Sequence, residues 1–146
     1  MTALRDIPQT LTVIPRELLV DQRAQSVSDA VRNAPGVSIA QGEGNRDQLL
    51  LRGMNTTSDF FVNGIRDDQE RFRDLYNVDT IEVLQGPAAV LFGRGGAGGV
   101  VNLVTRRAVP GTPSEASLEL GAWGHHRATT RLTLPVQGRA AVGLSA

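Results

Sequence analysis

FFVNGIRDDQERFRDLYNVDTIEVLQGPAAVLFGRGGAGGVVNLVTRR, residues 60–107, carries in one run the pattern that decides the fold. Asn63-Gly64 stands between Phe61-Val62 and Ile65, and these two residue types supply the positive φ angles of a tight β-hairpin. The segment TIEVLQ alternates as a strand, with Ile81, Val83 and Gln85 on one face and Glu82 and Leu84 on the other. Glu82 shares its face with an apolar neighbour, so it calls for a partner, either a nearby Arg or a second wall. Gly86-Pro87 punctuates the chain, and Pro87 suits the first position of a short helix over PAAVLF. Five of the seven positions from Gly93 to Gly99 are glycine, and VVNLVT then returns as a strand ending at Arg106-Arg107. Between the hairpin and TIEVLQ lies the charge-dense RDDQERFRDLYN, with Phe72, Leu75 and Tyr76 at i, i+3 and i+4. That spacing predicts one amphipathic turn with a solvated face.

Toward the N-terminus, QTLTVIP alternates as a short strand, and RELLVDQ after Pro15 predicts a turn or two of helix with Leu18 and Leu19 facing inward. Ser28 is a candidate cap for DAVRNA, which Pro35-Gly36 stops. Val37 to Ile39 reads as a strand, QGEGNRD as a polar loop, QLLLR as a strand ending at Gly53, and MNTTSD as a second polar loop. Beyond Pro110 and Pro113 the texture changes. SLELGAW, RATTRLTLPV and RAAVGLSA are alternating segments with short polar breaks at Gly124–His126 and Gln137-Gly138, which describes an antiparallel meander. Leu118, Leu120 and Ala122 then line one face and Glu119 and Gly121 the other. A meander of this length leaves an edge unpaired and asks for further strands.

The 146 residues fit one domain by length and suffice for a real core. Fifteen basic against fifteen acidic residues give no positive excess, which argues against a nucleic-acid binder. With no Cys, thiolate chemistry and disulfides are excluded; every cation is Arg, which removes Schiff-base lysines and the P-loop lysine. The longest apolar run, Ala88 to Phe92, is too short for a spanning helix or a signal peptide.

Gly93-Arg94-Gly95-Gly96-Ala97-Gly98 matches GxGxxG in form, but a dinucleotide fingerprint follows a strand and opens a helix, whereas here a helix precedes and a strand follows. A tight turn is the better reading, and the oxidoreductase alternative predicts a thermal shift with NAD. His125 and His126, the two histidines, sit in a turn with no carboxylate nearby and point apart, which is no zinc site. Arg66, Arg71 and Arg73 beside Asp67-Asp68 argue for internal ion pairing rather than a bound cation. A solvated loop and a ligand-facing loop both remain open for this stretch.

Taken together, DFFVNGIRDD and FRDLYNVDTIEVLQGPAAVLFGRGGAGGVVNLVTRR closely resemble the plug domain of TonB-dependent outer-membrane receptors, and within them the ferric-siderophore receptors. The resemblance begins at IPQTLTVIPRELLVDQ, passes through SVSDAVRNAPGVSI and LLLRGM, and ends at VTRR; residues 114–146 look like the first barrel strands of the same family. It implies an α+β fold, a mixed, roughly four-stranded sheet with short helices over residues 1–108, followed over 109–146 by the first antiparallel strands of an incomplete transmembrane β-barrel. It also implies a transport role without enzyme chemistry and without a cofactor. A ferric siderophore is the cargo, TonB the energy-transducing partner, and the outer membrane of a Gram-negative bacterium the location of the full-length protein.

By position in the family, the siderophore meets loop tips that here hold Gln41, Arg46, Thr57, Ser58, Arg71 and Phe72. The Arg of the LRG strand and the Glu of the IEVL strand face the barrel wall in the family, and Arg52 and Glu82 match them. Gln85 stands where many relatives carry a basic residue, which weakens one such contact. The charged stretch looks most like that of receptors for catecholate siderophores. TLTVI at 10–14 resembles a TonB-contacting box, but its place in the first plug strand favours the strand reading. The absent signal peptide, upstream box and later strands imply a piece of a receptor. The alternative is a free-standing plug-like module that binds a ligand or partner without transport.

Overall fold

The computed structural model describes residues 10–40, 44, 46–56, 59–86, 98–136 and 140–145. The expected helix over Pro87–Phe92, the glycines before Gly98 and the break at Gln137-Gly138 lie outside the described residues. The chain divides into two compact units, Met1–Thr105 and Arg106–Ala146.

The first unit is built on a five-stranded mixed sheet. Its strands are β1 (Thr10–Pro15), β5 (Phe60–Val62), β6 (Ile65–Arg66), β7 (Val78–Gln85) and β8 (Gly99–Thr105), in the order β1-β7-β8-β5-β6. The fifth strand, beyond the four expected, is the two-residue return of the Asn63-Gly64 hairpin. Asn63 and Gly64 take φ of 53° and 79°, as such a turn requires. The β7 ladder runs antiparallel to β1 and β8, whereas β5 lies parallel to β8.

Register sorts the side chains into two faces. Ile14 opposite Ile81, Val83 opposite Val101 and Phe60 opposite Val101 place the large apolar residues together on one side. There they join Leu19, Val27, Val31, Leu49 and Leu51 in the main core. On the reverse face Phe61, Leu84 and Val100 form a second cluster with Leu11, next to Glu82 and Asn102, which stand directly opposite each other. Between β7 and β8 there is no room for a side chain at Gly99. Its φ is +147°, and a Cβ there would sit 2.2 Å from the Leu84 carbonyl.

Two short helices cover the main face. In α1 (Arg16–Asp21) Leu19 is buried at 5% exposure, while Leu18 is 40% exposed. Adjacent helical residues lie about 100° apart, so so short a helix turns only one of them into the core. The second helix, α2 (Val27–Val31), is capped by Ser26 and not by Ser28. The Ser26 hydroxyl accepts from the Asp29 amide at 3.1 Å, and the Asp29 carboxylate accepts from the Ser26 amide at 3.2 Å. Burial disfavours the Asp29 charge, yet bonds from the Ser26 hydroxyl, the Gln25 amide, Arg32 and the Ser26 amide together hold its carboxyl below the usual range.

A smaller antiparallel sheet joins β2 (Val37–Ile39), β3 (Leu49–Leu51) and β4 (Met54–Thr56). Met54–Thr56 thus pairs as a strand where a polar loop was expected, because Arg52 enters the left-handed region at φ 51° and folds the chain back. Thr56 is then buried, and its hydroxyl donates to the Leu49 carbonyl at 3.1 Å.

The second unit is a three-stranded antiparallel meander of β9 (Glu115–Leu120), β10 (His126–Val136) and β11 (Ala140–Ser145). Ala122 lies in the 3-10 turn Ala122–Gly124 rather than on the strand face. The pairs Leu118–Ala128, Leu132–Leu144 and Leu134–Val142 share one face. Glu119–Arg127, Ser117–Thr129 and Glu115–Arg131 share the other. Both faces of β9 are exposed. The segment ahead of β9 is tied to this unit by Arg106, paired with Glu115 through two bonds of 2.7 and 2.8 Å, and by Arg131, which donates to the Arg107 carbonyl at 2.8 Å.

Candidate functional site

The charge-dense stretch 66–77 forms no helix. Beyond β6 the carbonyls of Asp67, Gln69 and Arg71, on alternate residues, all turn to one centre. All three are met by Arg73, which is 3% exposed. Its guanidinium donates to Asp67 O at 3.0 Å, to Gln69 O at 2.7 Å and to Arg71 O at 3.2 Å. It also donates to the Asp67 carboxylate at 3.0 Å and lies 4.1 Å from the ring centroid of Phe60 on β5. Helix formation would need those carbonyls for backbone N–H groups; here a side chain takes them.

Asp47, at the approach to β3, reaches the same centre. Its carboxylate accepts from the Arg73 amide at 2.8 Å and lies 3.7 Å from the Arg73 guanidinium, while its own amide donates to Arg71 O at 3.3 Å. Burial pushes the Asp47 carboxyl up, against the lowering effect of the Arg73 amide and charge. Arg46 pairs with Glu70 across the same junction, and Arg66 with Asp68. The internal ion pairing expected around Asp67-Asp68 is therefore present.

Of the loop residues singled out from the sequence, Arg46, Arg71 and Phe72 are brought to this one junction. Phe72 is 54% exposed, and the exposed Arg71 side chain is steadied by the Asp67 carboxylate at 3.1 Å. Gln41, Thr57 and Ser58 lie outside the described residues. Asp47 falls in the stretch read as a polar loop, whereas Arg73 is one of the cations expected to pair internally beside Asp67-Asp68, and it pairs with Asp67. Nothing in sequence spacing links Arg73 to Asp47, 26 positions earlier.

Glu82 is half-buried and accepts from the Asn102 amide at 2.9 Å, while Asn102 in turn accepts from Gly64 N at 2.9 Å. Its partner on the sheet is thus a cross-strand Asn and not the Arg that was one expectation. Arg52 is exposed at its turn, with its guanidinium lying along Gly86. Gln85 turns inward to donate to the Pro35 carbonyl and fills the space over Gly36. His125 lies 3.9 Å from Glu119, so a carboxylate does stand near the histidine pair. Among the described residues no three His, Cys, Asp or Glu gather as a metal site.

An aromatic ring and a cation, displayed on a loop locked from beneath, suit recognition of an anionic aromatic ligand. The likeness to known proteins lies at the level of family and fold. The TonB-dependent Receptor Plug Domain family matches residues 3–100. The chain is similar to the probable TonB-dependent receptor BfrD of Bordetella pertussis, 46% identical over 106 residues, covering 70% of this chain and 14% of that protein. It is 30% identical to the catecholate siderophore receptor Fiu of Escherichia coli K12 over 145 residues, 96% of this chain and 19% of that protein. The crystal structure of the siderophore receptor PiuA from Acinetobacter baumannii superposes with a TM-score of 0.89 at 28% identity, covering 99% of this chain and 21% of that one. The chain thus spans less than a fifth of the length of the curated relatives it matches.

Proposed function

Because the chain belongs to the TonB-dependent receptor plug domain family, we propose that it is the plug and the first wall strands of an outer-membrane receptor that takes up a ferric siderophore. The observation that carries this reading is the joining, in one chain, of a family plug to a meander with one apolar and one charged face. Barrel strands alternate in this way, with apolar side chains toward lipid and polar ones toward the lumen. Residues 1–108 are the plug and 109–146 open the barrel. TonB supplies the energy from the periplasmic side, and the ferric complex is cargo, so no bond-making step is asked of the protein.

The ligand-facing tips are those of Gln41, Arg46, Thr57, Ser58, Arg71 and Phe72, and the names of PiuA and Fiu support a siderophore, in the second case a catecholate, as the ligand class. A ferric catecholate is anionic and presents aromatic faces, which suits Arg71 and Phe72. Arg52 and Glu82 meet the barrel wall, where a polar lumen lets partly buried charges keep water or partners.

The test is uptake. In a strain lacking its own catecholate receptors, the complete receptor carrying this chain should import radiolabelled iron as the tris-dihydroxybenzoate complex, and should stop when TonB is deleted. Arg71→Ala and Phe72→Ala should each weaken binding of that complex by about 1 kcal/mol, some fivefold. Uptake that persists without TonB, or binding untouched in both variants, contradicts the reading.

A further inference from the structure

We infer that Arg73 is the positioning residue of the ligand-facing surface: it sets the curve of residues 67–73 and, through Asp47, joins that loop to the approach to β3, so that Arg46, Arg71 and Phe72 are presented as one body. The inference rests on the proposed function for the identity of the ligand alone; the linkage itself is geometric.

A guanidinium removed from water is costly unless its donors are all met. Here three carbonyls and the Asp67 carboxylate accept from it, and the Phe60 ring lies against its flat face. Phe60 belongs to the main core, so the Arg73 contact, together with the Asp67 amide donating to the Phe60 carbonyl at 2.9 Å, holds the loop against the sheet. The fan of acceptors matches the fixed fork of an Arg; a lysine ammonium, with three donors at one atom, cannot span it.

Two links lead outward from the buried group to exposed ones. Asp67 Oδ2 accepts from both Arg73 and Arg71, so Arg73 orients the carboxylate that orients Arg71. Asp47 binds the loop in both directions, accepting from the Arg73 amide and donating to the Arg71 carbonyl. Arg46, its chain neighbour, closes on Glu70 within the same loop. Arg73 therefore acts through its neighbours and touches no ligand.

The experiment is hydrogen exchange on the complete receptor, with Arg73→Lys as the variant. Exchange at the amides of Asp47, Gln69 and Arg73 should quicken together, by about tenfold or more, while β7 and β8 keep wild-type protection. Binding of ferric tris-dihydroxybenzoate should fall by about tenfold, and adding Arg71→Ala to that background should cost little further, because the cation is already misplaced. Unchanged exchange at Asp47 overturns the inference, as do strictly additive binding losses. So does protection lost throughout β7 and β8, which would make Arg73 a general core residue. If wild-type receptor fails to bind the probe while the three amides still respond together, the catecholate reading falls and the positioning role stands.

Discussion

Asp47 shows how a buried charge can be held and still oppose folding. Its carboxyl is pushed up by burial, so the folded protein keeps the proton more tightly than the unfolded chain, whose value is near 3.8. Stability from this group is therefore fullest below that value and declines as pH rises through the folded pKa. Asp47→Asn keeps an oxygen for the Arg73 amide and removes the buried charge. It should gain on wild type as pH rises from 4 to 7, read as protection factors at Ile81 and Val101. Asp47→Ala leaves the Arg73 amide without its acceptor and should cost about 1–3 kcal/mol in the same assay.

The short elements divide cleanly into those a local pattern announces and those a distant partner creates. Ser26→Ala should cost about 1 kcal/mol by loss of the cap, whereas Ser28→Ala should be nearly silent; amide exchange in α2 separates the two. The box was readable, since Ser26 and Asp29 stand three apart just before a buried Val27-Val31 pair, and Ser28 competes with it only by adjacency. The alternation of β7, β8 and β10 and the Asn63-Gly64 turn were legible because each is fixed by its own residues. Met54–Thr56 was not, because three polar or flexible residues become a strand only when Leu49–Leu51 offers its ladder. Stretch 66–77 misled for a related reason. Its i, i+3, i+4 spacing is real, yet the carbonyls a helix would use are claimed by Arg73, so Phe72 ends up outside while Leu75 is buried. Half of the candidate site, the exposed Arg71 and Phe72, was thus visible in the sequence. Of the buried half, the Arg73–Asp67 pairing was also legible in the local charges, whereas the bond to Asp47 reaches across 26 residues.

For the molecule as a whole, the two-faced meander sets the terms on which it can exist. Leu132 and Leu134 stand on the apolar face beside Leu144 and Val142, exposed to whatever surrounds the sheet. In the complete receptor, Leu132→Arg should lower the yield of heat-modifiable, membrane-assembled protein, at a cost of about 2–4 kcal/mol if the site lies near the bilayer centre. Thr129→Arg, on the charged face, should assemble as wild type. Equal yields of the two would remove the distinction between the faces.

The position of β1 at the rim of the five-stranded sheet has a mechanical consequence. Among the described residues it pairs with β7 alone, through the six register pairs from Thr10–Gln85 to Pro15–Thr80, whereas β7 and β8 are each gripped on both sides. A tension applied to the chain ahead of Thr10 and across the strands would unzip these pairs in succession, each step a small yield in place of one large rupture. The sheet thus yields at its rims and is stiffest in its middle, and the rim where the chain first enters it can give way one pair at a time.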